Sequence, residues 1–216
     1  MTTVGFIGSG RIGTVLAKLS VAAGYDVLLS NSRGPDTLKD LAAEVGALAV
    51  TPAEAARADL VVVSIPVKAY ASVPAIDGKV VLDTGNYSPA RRDGQIPGLD
   101  DGALTSSELL QRQVPDAKVV KVFNNIYFRH LEHLARPEGA ADRSYLPIAG
   151  DDPDAKAAVT AYLNAIGYGA VDAGSLADGR RQEPGTPAYG APYGPFDDEQ
   201  GRTASADVIR AALAAA

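Results

Sequence analysis

The chain has 216 residues, no cysteine and a formal net charge of −6. The missing cysteine excludes disulfides, zinc ribbons and thiolate nucleophiles, and the acidic balance argues against nucleic acid as a partner. An apolar content of 46% suits a globular chain with a substantial core. The longest apolar run, Leu60 to Val67, is too short to span a bilayer, and a first strand beginning by Val4 leaves no room for a signal peptide. The expectation is a cytoplasmic protein with no membrane partner.

Val4, Phe6 and Ile7 open the chain as a short apolar strand, followed at once by Gly8-Ser9-Gly10-Arg11-Ile12-Gly13. Ile12, Val15, Leu16 and Leu19 are spaced for one buried helix face. Gly24 stops that helix, and Asp26 to Leu29 is the next strand. A G-x-G-x-x-G is weak alone, but a strand before it, a helix after it and a second strand closing the unit are the context that makes it a dinucleotide turn. Gly8 serves the tight turn, Gly10 the close approach of a pyrophosphate, and Gly13 helix–strand packing. The free N–H groups and dipole of the helix start favour the diphosphate.

At the end of the second strand, where an NAD site places an acid for the ribose hydroxyl, the chain reads Ser30-Asn31-Ser32-Arg33, with no carboxylate until Asp36. Two hydroxyls, an amide and a guanidinium suit a 2′-phosphate, so the expected cofactor is NADP(H).

Further elements follow in alternation. Thr37 to Val45 is a helix closed by Gly46, and Ala47 to Val50 a short strand. Thr51-Pro52-Ala53-Glu54 opens a helix with a capping box. Leu60 to Ile65 is an unbroken β-branched strand, buried on both faces and ended by Pro66. Lys79 to Leu82 is a strand, Ser88 to Thr105 a loop, Ser106 to Gln113 a helix, and Lys118 to Phe123 a strand. Asn124 to Leu134 begins irregularly and becomes helical. Tyr145 to Ala149, Pro153 to Ile166 and Tyr168 to Val171 make one more βαβ unit. The fold class expected is α/β: a doubly wound parallel sheet, a Rossmann NADP-binding fold, extended by that unit.

Residues 1–174 then form the NADP-binding domain, and 175–216 a C-terminal arm with a short helix, Ala204 to Ala215. The Pro/Gly-rich stretch Glu183 to Phe196 carries two tyrosines and a phenylalanine. It is expected to be ordered, covering the active-site cleft or a partner subunit.

Ligands of open α/β sheets bind past the carboxyl ends of the strands. Those ends carry Gly8–Gly13, Ser30–Arg33, Ser64-Ile65-Pro66-Val67, Asp83 to Tyr87 and Asn124 to Tyr127. None offers a Ser-His-Asp set, a paired carboxylate or a metal cluster, and His130 and His133 lack a third ligand. Such a site suits hydride transfer, where the cofactor carries the chemistry and the protein orients it. Asn86, Asn124 and Asn125 are candidate orienting amides, and Tyr127 a candidate proton donor, although packing competes for it.

With these residues in view, the chain resembles the F420-dependent NADP oxidoreductase family and, more distantly, the reductase domain of the STEAP ferric reductases. The resemblance runs from Val4 to about Glu183. It rests on the glycine turn, the Ser30–Arg33 turn, Lys121-Val122-Phe123-Asn124-Asn125-Ile126, Pro147-Ile148-Ala149-Gly150-Asp151-Asp152, and Asp172-Ala173-Gly174-Ser175-Leu176. It implies NADPH along the strand ends with its 2′-phosphate at Asn31, Ser32 and Arg33. The nicotinamide would lie near Asn86 and Asn124–Ile126, stacked against F420 or a flavin-like acceptor, in a homodimer. The chain departs from the family after Glu183, where the arm replaces an apolar helical segment. Alternative readings are a reductase of another small substrate (hydroxyacid, imine or ferric type) or a non-catalytic NADP-sensing module.

Overall fold

The structure is a computed structural model that describes residues 2–216. Thr3–Ile7 (β1) runs into Arg11–Ala22 (α1) and returns as Asp26–Ser30 (β2). A 3-10 turn, Pro35–Leu38, leads into Lys39–Val45 (α2), which Gly46 ends in the left-handed conformation at φ 79°. Leu48–Ala49 (β3) and a single turn, Pro52–Ala55 (α3), follow. The Thr51–Glu54 capping box forms as expected, although the helix it opens is only four residues long.

Leu60–Val63 (β4) and Val80–Asp83 (β5) complete the central sheet; Ser106–Gln113 (α4) leads to Lys118–Lys121 (β6), and Phe128–His133 (α5) follows. The strand order β3-β2-β1-β4-β5-β6 is parallel throughout and is the order whose reversal lies between β1 and β4.

The extra unit is Tyr145–Gly150 (β7), Pro153–Ala165 (α6) and Gly169–Asp172 (β8). Its strands are parallel to each other, but β7 is antiparallel to β6, pairing Val120 with Gly150 and Lys121 with Ala149. The expectation of a parallel sheet is thus refined: eight strands form one mixed sheet. Residues 122–144 hold only α5 and turns, so the chain enters β7 without a full crossover and runs back along β6.

Alternation along β4 divides two cores. Val62 packs with Phe6, Leu16, Leu82 and Val159 on one face, while Val61 and Val63 pack with Ile7, Val81 and Leu110 on the other. Ala206–Ala214 (α7) closes the chain against β7 and β8. Among the described residues no helix is long and apolar enough to cross a membrane.

The segment after β8 continues without long helices or strands until α7. It folds through 3-10 turns Ala177–Gln182 and Ala191–Tyr193 and lies against its own chain, with Ala188 and Tyr193 fully buried. Gly190 N–H donates to the Asn125 carbonyl (2.9 Å), and the Tyr193 hydroxyl to the Tyr145 carbonyl (2.8 Å).

Candidate functional site

Three glycines shape the turn between β1 and α1, and their surroundings separate them. Gly8 sits at φ +114°, and a Cβ there would stand 2.2 Å from the Ser64 carbonyl oxygen. Its N–H donates to the Ser30 carbonyl (3.0 Å). A Cβ on Gly13 would stand 2.3 Å from the Gly8 carbonyl oxygen. Both are therefore glycine because the protein presses on them. Gly10 differs: its backbone is extended, and a Cβ would meet nothing within 4 Å. Nothing in the protein requires that glycine, which leaves a cradle open to a ligand's close approach. Beside it, α1 starts with no capping side chain and no acid in its first turn, so its N–H groups face outward unanswered. A dinucleotide's diphosphate fits that donor set.

The turn after β2 is partly as expected. Ser30 is fully buried and donates to the Phe6 carbonyl (2.7 Å), so its hydroxyl is withdrawn from the ligand set. The Asn31 amide is spent locally, accepting from Arg33 N–H (2.9 Å) and donating to the Thr37 hydroxyl (3.0 Å). Ser32 and Arg33 are exposed. The nearby acid, Asp36, is taken by Lys39 at 2.6 Å, and Arg33 is in no ion pair among the described residues. It remains a free cation beside a turn ordered by Asn31 and Thr37.

Past β4, Ser64, Ile65 and Pro66 are half-buried along the cleft floor. Past β5 and β6, the structure brings Asn86 and Asn124 together. Asn86 Nδ2 donates to the Asn124 carbonyl (2.7 Å) and Asn124 Nδ2 to Asn86 Oδ1 (2.9 Å). Asn124 also donates to the Gln182 carbonyl and accepts from Gln182 Nε2 (2.8 and 3.0 Å). Buried and saturated, Asn124 is a brace rather than a group that meets a ligand. Half-buried Asn86 keeps amide capacity to spare.

Asn125 also makes a long-range contact. It is fully buried and its Nδ2 holds the Ala188 carbonyl (2.9 Å), tethering the arm. Ile126 is buried. Tyr127 has no hydrogen-bond partner for its hydroxyl among the described residues. It stands in an aromatic row, 4.6 Å from Phe128 and 5.5 Å from Phe196 between ring centroids, the packing role that competed with proton donation. Arg11 reaches over the Phe128 ring at 5.1 Å and so joins this row to the phosphate turn.

Two features escaped the sequence reading. Phe123 has φ +66°, the only non-glycine with positive φ among the described residues. That left-handed kink after β6 aims Asn124 at Asn86 and is strained for an aromatic residue. Beneath it lies a buried polar knot. Fully buried Lys121 donates to the Gly85 carbonyl (3.1 Å) and to Ser106 and Ser107 (3.0 and 3.3 Å), and pairs with Glu183 at 3.4 Å. Ser107 donates to Asp83 (2.6 Å), which also accepts from Tyr70 (2.6 Å) and Gly85 N–H (2.9 Å). Burial, then the Asp83 carboxylate, pushes the Tyr70 phenol well up. A lysine within a strand carries no sequence signal of such a role.

His130 and His133 do not face the cleft. His130 Nε2–H donates to the Asp198 carbonyl (2.5 Å), and His133 Nδ1 lies 3.0 Å from the Glu199 carbonyl; both fasten the arm.

A doubly wound sheet with an uncapped glycine helix start at its switch point defines the class: a Rossmann fold of the NADP-binding type. Residues 3–87 match the family described as NADP oxidoreductase, coenzyme F420-dependent. A hypothetical protein from Sinorhizobium meliloti is 31% identical and superposes with a TM-score of 0.76, over 88% of this chain and 93% of that one. A putative F420-dependent NADP-reductase from Arthrobacter sp. FB24 is 24% identical, with a TM-score of 0.69 over 83% of this chain and 87% of that one. Metalloreductase STEAP3 of Rattus norvegicus is 28% identical over 184 residues, 83% of this chain, and the chain spans only 35% of its length. The family's model thus matches the N-terminal part of the chain, and the whole chain shares the fold of these relatives.

Proposed function

We propose that the protein is an NADPH-dependent oxidoreductase that passes hydride directly to F420 or a flavin-like acceptor. The observation that carries the cofactor half is the open cradle at Gly10 beside an uncapped helix start, with unpaired Arg33 at the end of β2. Gly10 and the N–H groups of Arg11, Ile12 and Gly13 would hold the diphosphate, with Ser9 beside them. Ser32 and Arg33 would hold the 2′-phosphate, and Asn86 the carboxamide, over Ser64–Pro66 and Ile126. A bound NADPH would supply the hydride.

The chain's own residues then orient and exclude water. Phe123 and the Asn124–Gln182 contacts fix Asn86, and the buried Lys121 knot fixes Gly85 beside it. No acid–base pair stands among these groups. That suits an acceptor ring that takes a hydride at carbon or nitrogen without a protein-held proton. The family description and the Arthrobacter neighbour's name support F420 as that acceptor.

The test is NADPH oxidation with F420, FMN, FAD and ferric chelates in parallel. Turnover with F420 or a flavin is expected. Tight NADPH binding with silence across the panel would overturn the oxidoreductase reading and favour a sensor. Turnover with ferric chelate alone would replace the acceptor.

A further inference from the structure

A groove of about 350 Å³ opens between the 3-10 turn Val67–Ser72 and α4, on the side of the sheet that packs Val61 and Val63. Val67, Lys68, Tyr70, Ile96, Leu109 and Arg112 line it, and its volume is within the range of small-molecule sites. None of these residues is among those proposed to hold NADPH.

The groove is held in shape by the protein's own contacts. Its floor includes Tyr70, which is fully buried and donates its hydroxyl to Asp83 (2.6 Å). Gln113 at the end of α4 donates to the Ala71 and Val73 carbonyls (both 3.4 Å), tying the helix to the turn. Across from them, Ile96 N–H donates to the Tyr87 hydroxyl (3.0 Å). Ile96 and Leu109 pack on the core yet stay only half-buried, so apolar surface remains open along the groove.

Its polar groups are cations. Lys68 on the turn and Arg112 on the helix are both exposed, and neither side chain has an ion-pair or hydrogen-bond partner among the described residues. The carboxylate nearest in sequence contact is spent. Asp93 accepts from Lys68 N–H (3.3 Å) and Ser88 N–H (2.8 Å) and pairs with Arg92 at 3.5 Å. In a chain of net charge −6, two idle cations on opposite walls of one apolar groove match a ligand of opposite charge. A guanidinium fork and an ammonium answer a carboxylate, while the floor answers a hydrocarbon body.

We infer that this groove is a second ligand site, separate from the cofactor cleft, for a small carboxylate with an apolar body. The hydrocarbon lies over Val67, Tyr70 and Leu109, and the carboxylate between Lys68 and Arg112. The inference stands independently of the proposed hydride transfer.

The experiment titrates the full chain with phenylbutyrate, its uncharged amide and acetate, with and without saturating NADPH, followed by ligand-observed NMR. Phenylbutyrate should bind about tenfold more tightly than the amide, which lacks the charge, and than acetate, which lacks the apolar body. Arg112→Ala, at an exposed position, should bring phenylbutyrate down to the amide level, and Arg112→Lys should keep part of the difference. Ala71→Phe, on the exposed rim, should block both with the unfolding midpoint unchanged; should it destabilise the chain, the Arg112 pair still decides. Equal affinity for acid and amide, unaltered binding in R112A, no binding of any probe, or displacement of phenylbutyrate by NADPH would each overturn the inference.

Discussion

The glycine turn and the arm border the same cleft but are held by opposite means. From β1 to β5 the chain relies on main-chain approach: Gly5, Gly8 and Gly13 each sit where a Cβ would collide with a backbone carbonyl at 1.9 to 2.3 Å. From α6 to the C-terminus it relies on long polar side chains reaching distant segments. Tyr162 shares a hydrogen bond with Ser20 (2.7 Å), Tyr168 donates to Leu131 (2.7 Å), Tyr193 to Tyr145 (2.8 Å), and Asn125 to Ala188 (2.9 Å). At those three glycines the first region has no room for an added atom, whereas the second depends on atoms it would lose.

The largest effects should come from violating the first rule. Gly8→Ala forces a side chain into positive φ and the Ser64 carbonyl, and should cost about 3–5 kcal/mol of stability in a denaturant melt. Gly10→Ala, two residues on, should leave stability within about 0.5 kcal/mol while weakening NADPH binding more than roughly tenfold. Equal melting of the two variants would remove the distinction between pressed and ligand-facing glycines.

Next in size is the knot that joins the regions. Lys121→Met leaves the buried Gly85 carbonyl, Ser106 and Ser107 without their donor and frees Glu183 at the arm's root. We expect a loss of roughly 3 kcal/mol, with faster proteolysis after Glu183. A variant as stable as the parent would show that the lysine holds nothing together.

Removing one phenol is smaller. Tyr193→Phe should cost about 1 kcal/mol, measured by the unfolding midpoint, with the arm still docked through Asn125. The same tyrosines give a pH signature. Burial raises the phenols of Tyr162, Tyr168 and Tyr193 above the free value. The unfolded chain therefore loses these protons first, and the stability they contribute is complete below about pH 10 and falls above it. Melts at about pH 9 and about pH 11 should show that decline, coincident with tyrosine ionisation in the absorbance spectrum.

The same contrast explains what the sequence disclosed. The glycine turn, the capping box at Thr51 and Glu54, and the helix Ser106–Gln113 are local chemistry, with each partner a few residues away. Their spacing was enough to place them. The carbonyl contacts of Asn124, Asn125 and Ser30 are not legible in the sequence, because an amide or hydroxyl at a strand end looks the same whether it faces a ligand or a carbonyl 24 to 63 residues away. The direction of β7 and the burial of Lys121 are likewise set by long-range packing. Phe123's left-handed backbone had no signal, since nothing in its type announces that conformation.

The central claim, that the cleft is built for NADP(H), is tested most directly by calorimetric titration of Arg33→Ala with NADPH and NADH. NADPH binding should weaken by roughly ten- to hundredfold, with NADH binding nearly unchanged. Equal losses for both, or none for either, would contradict it.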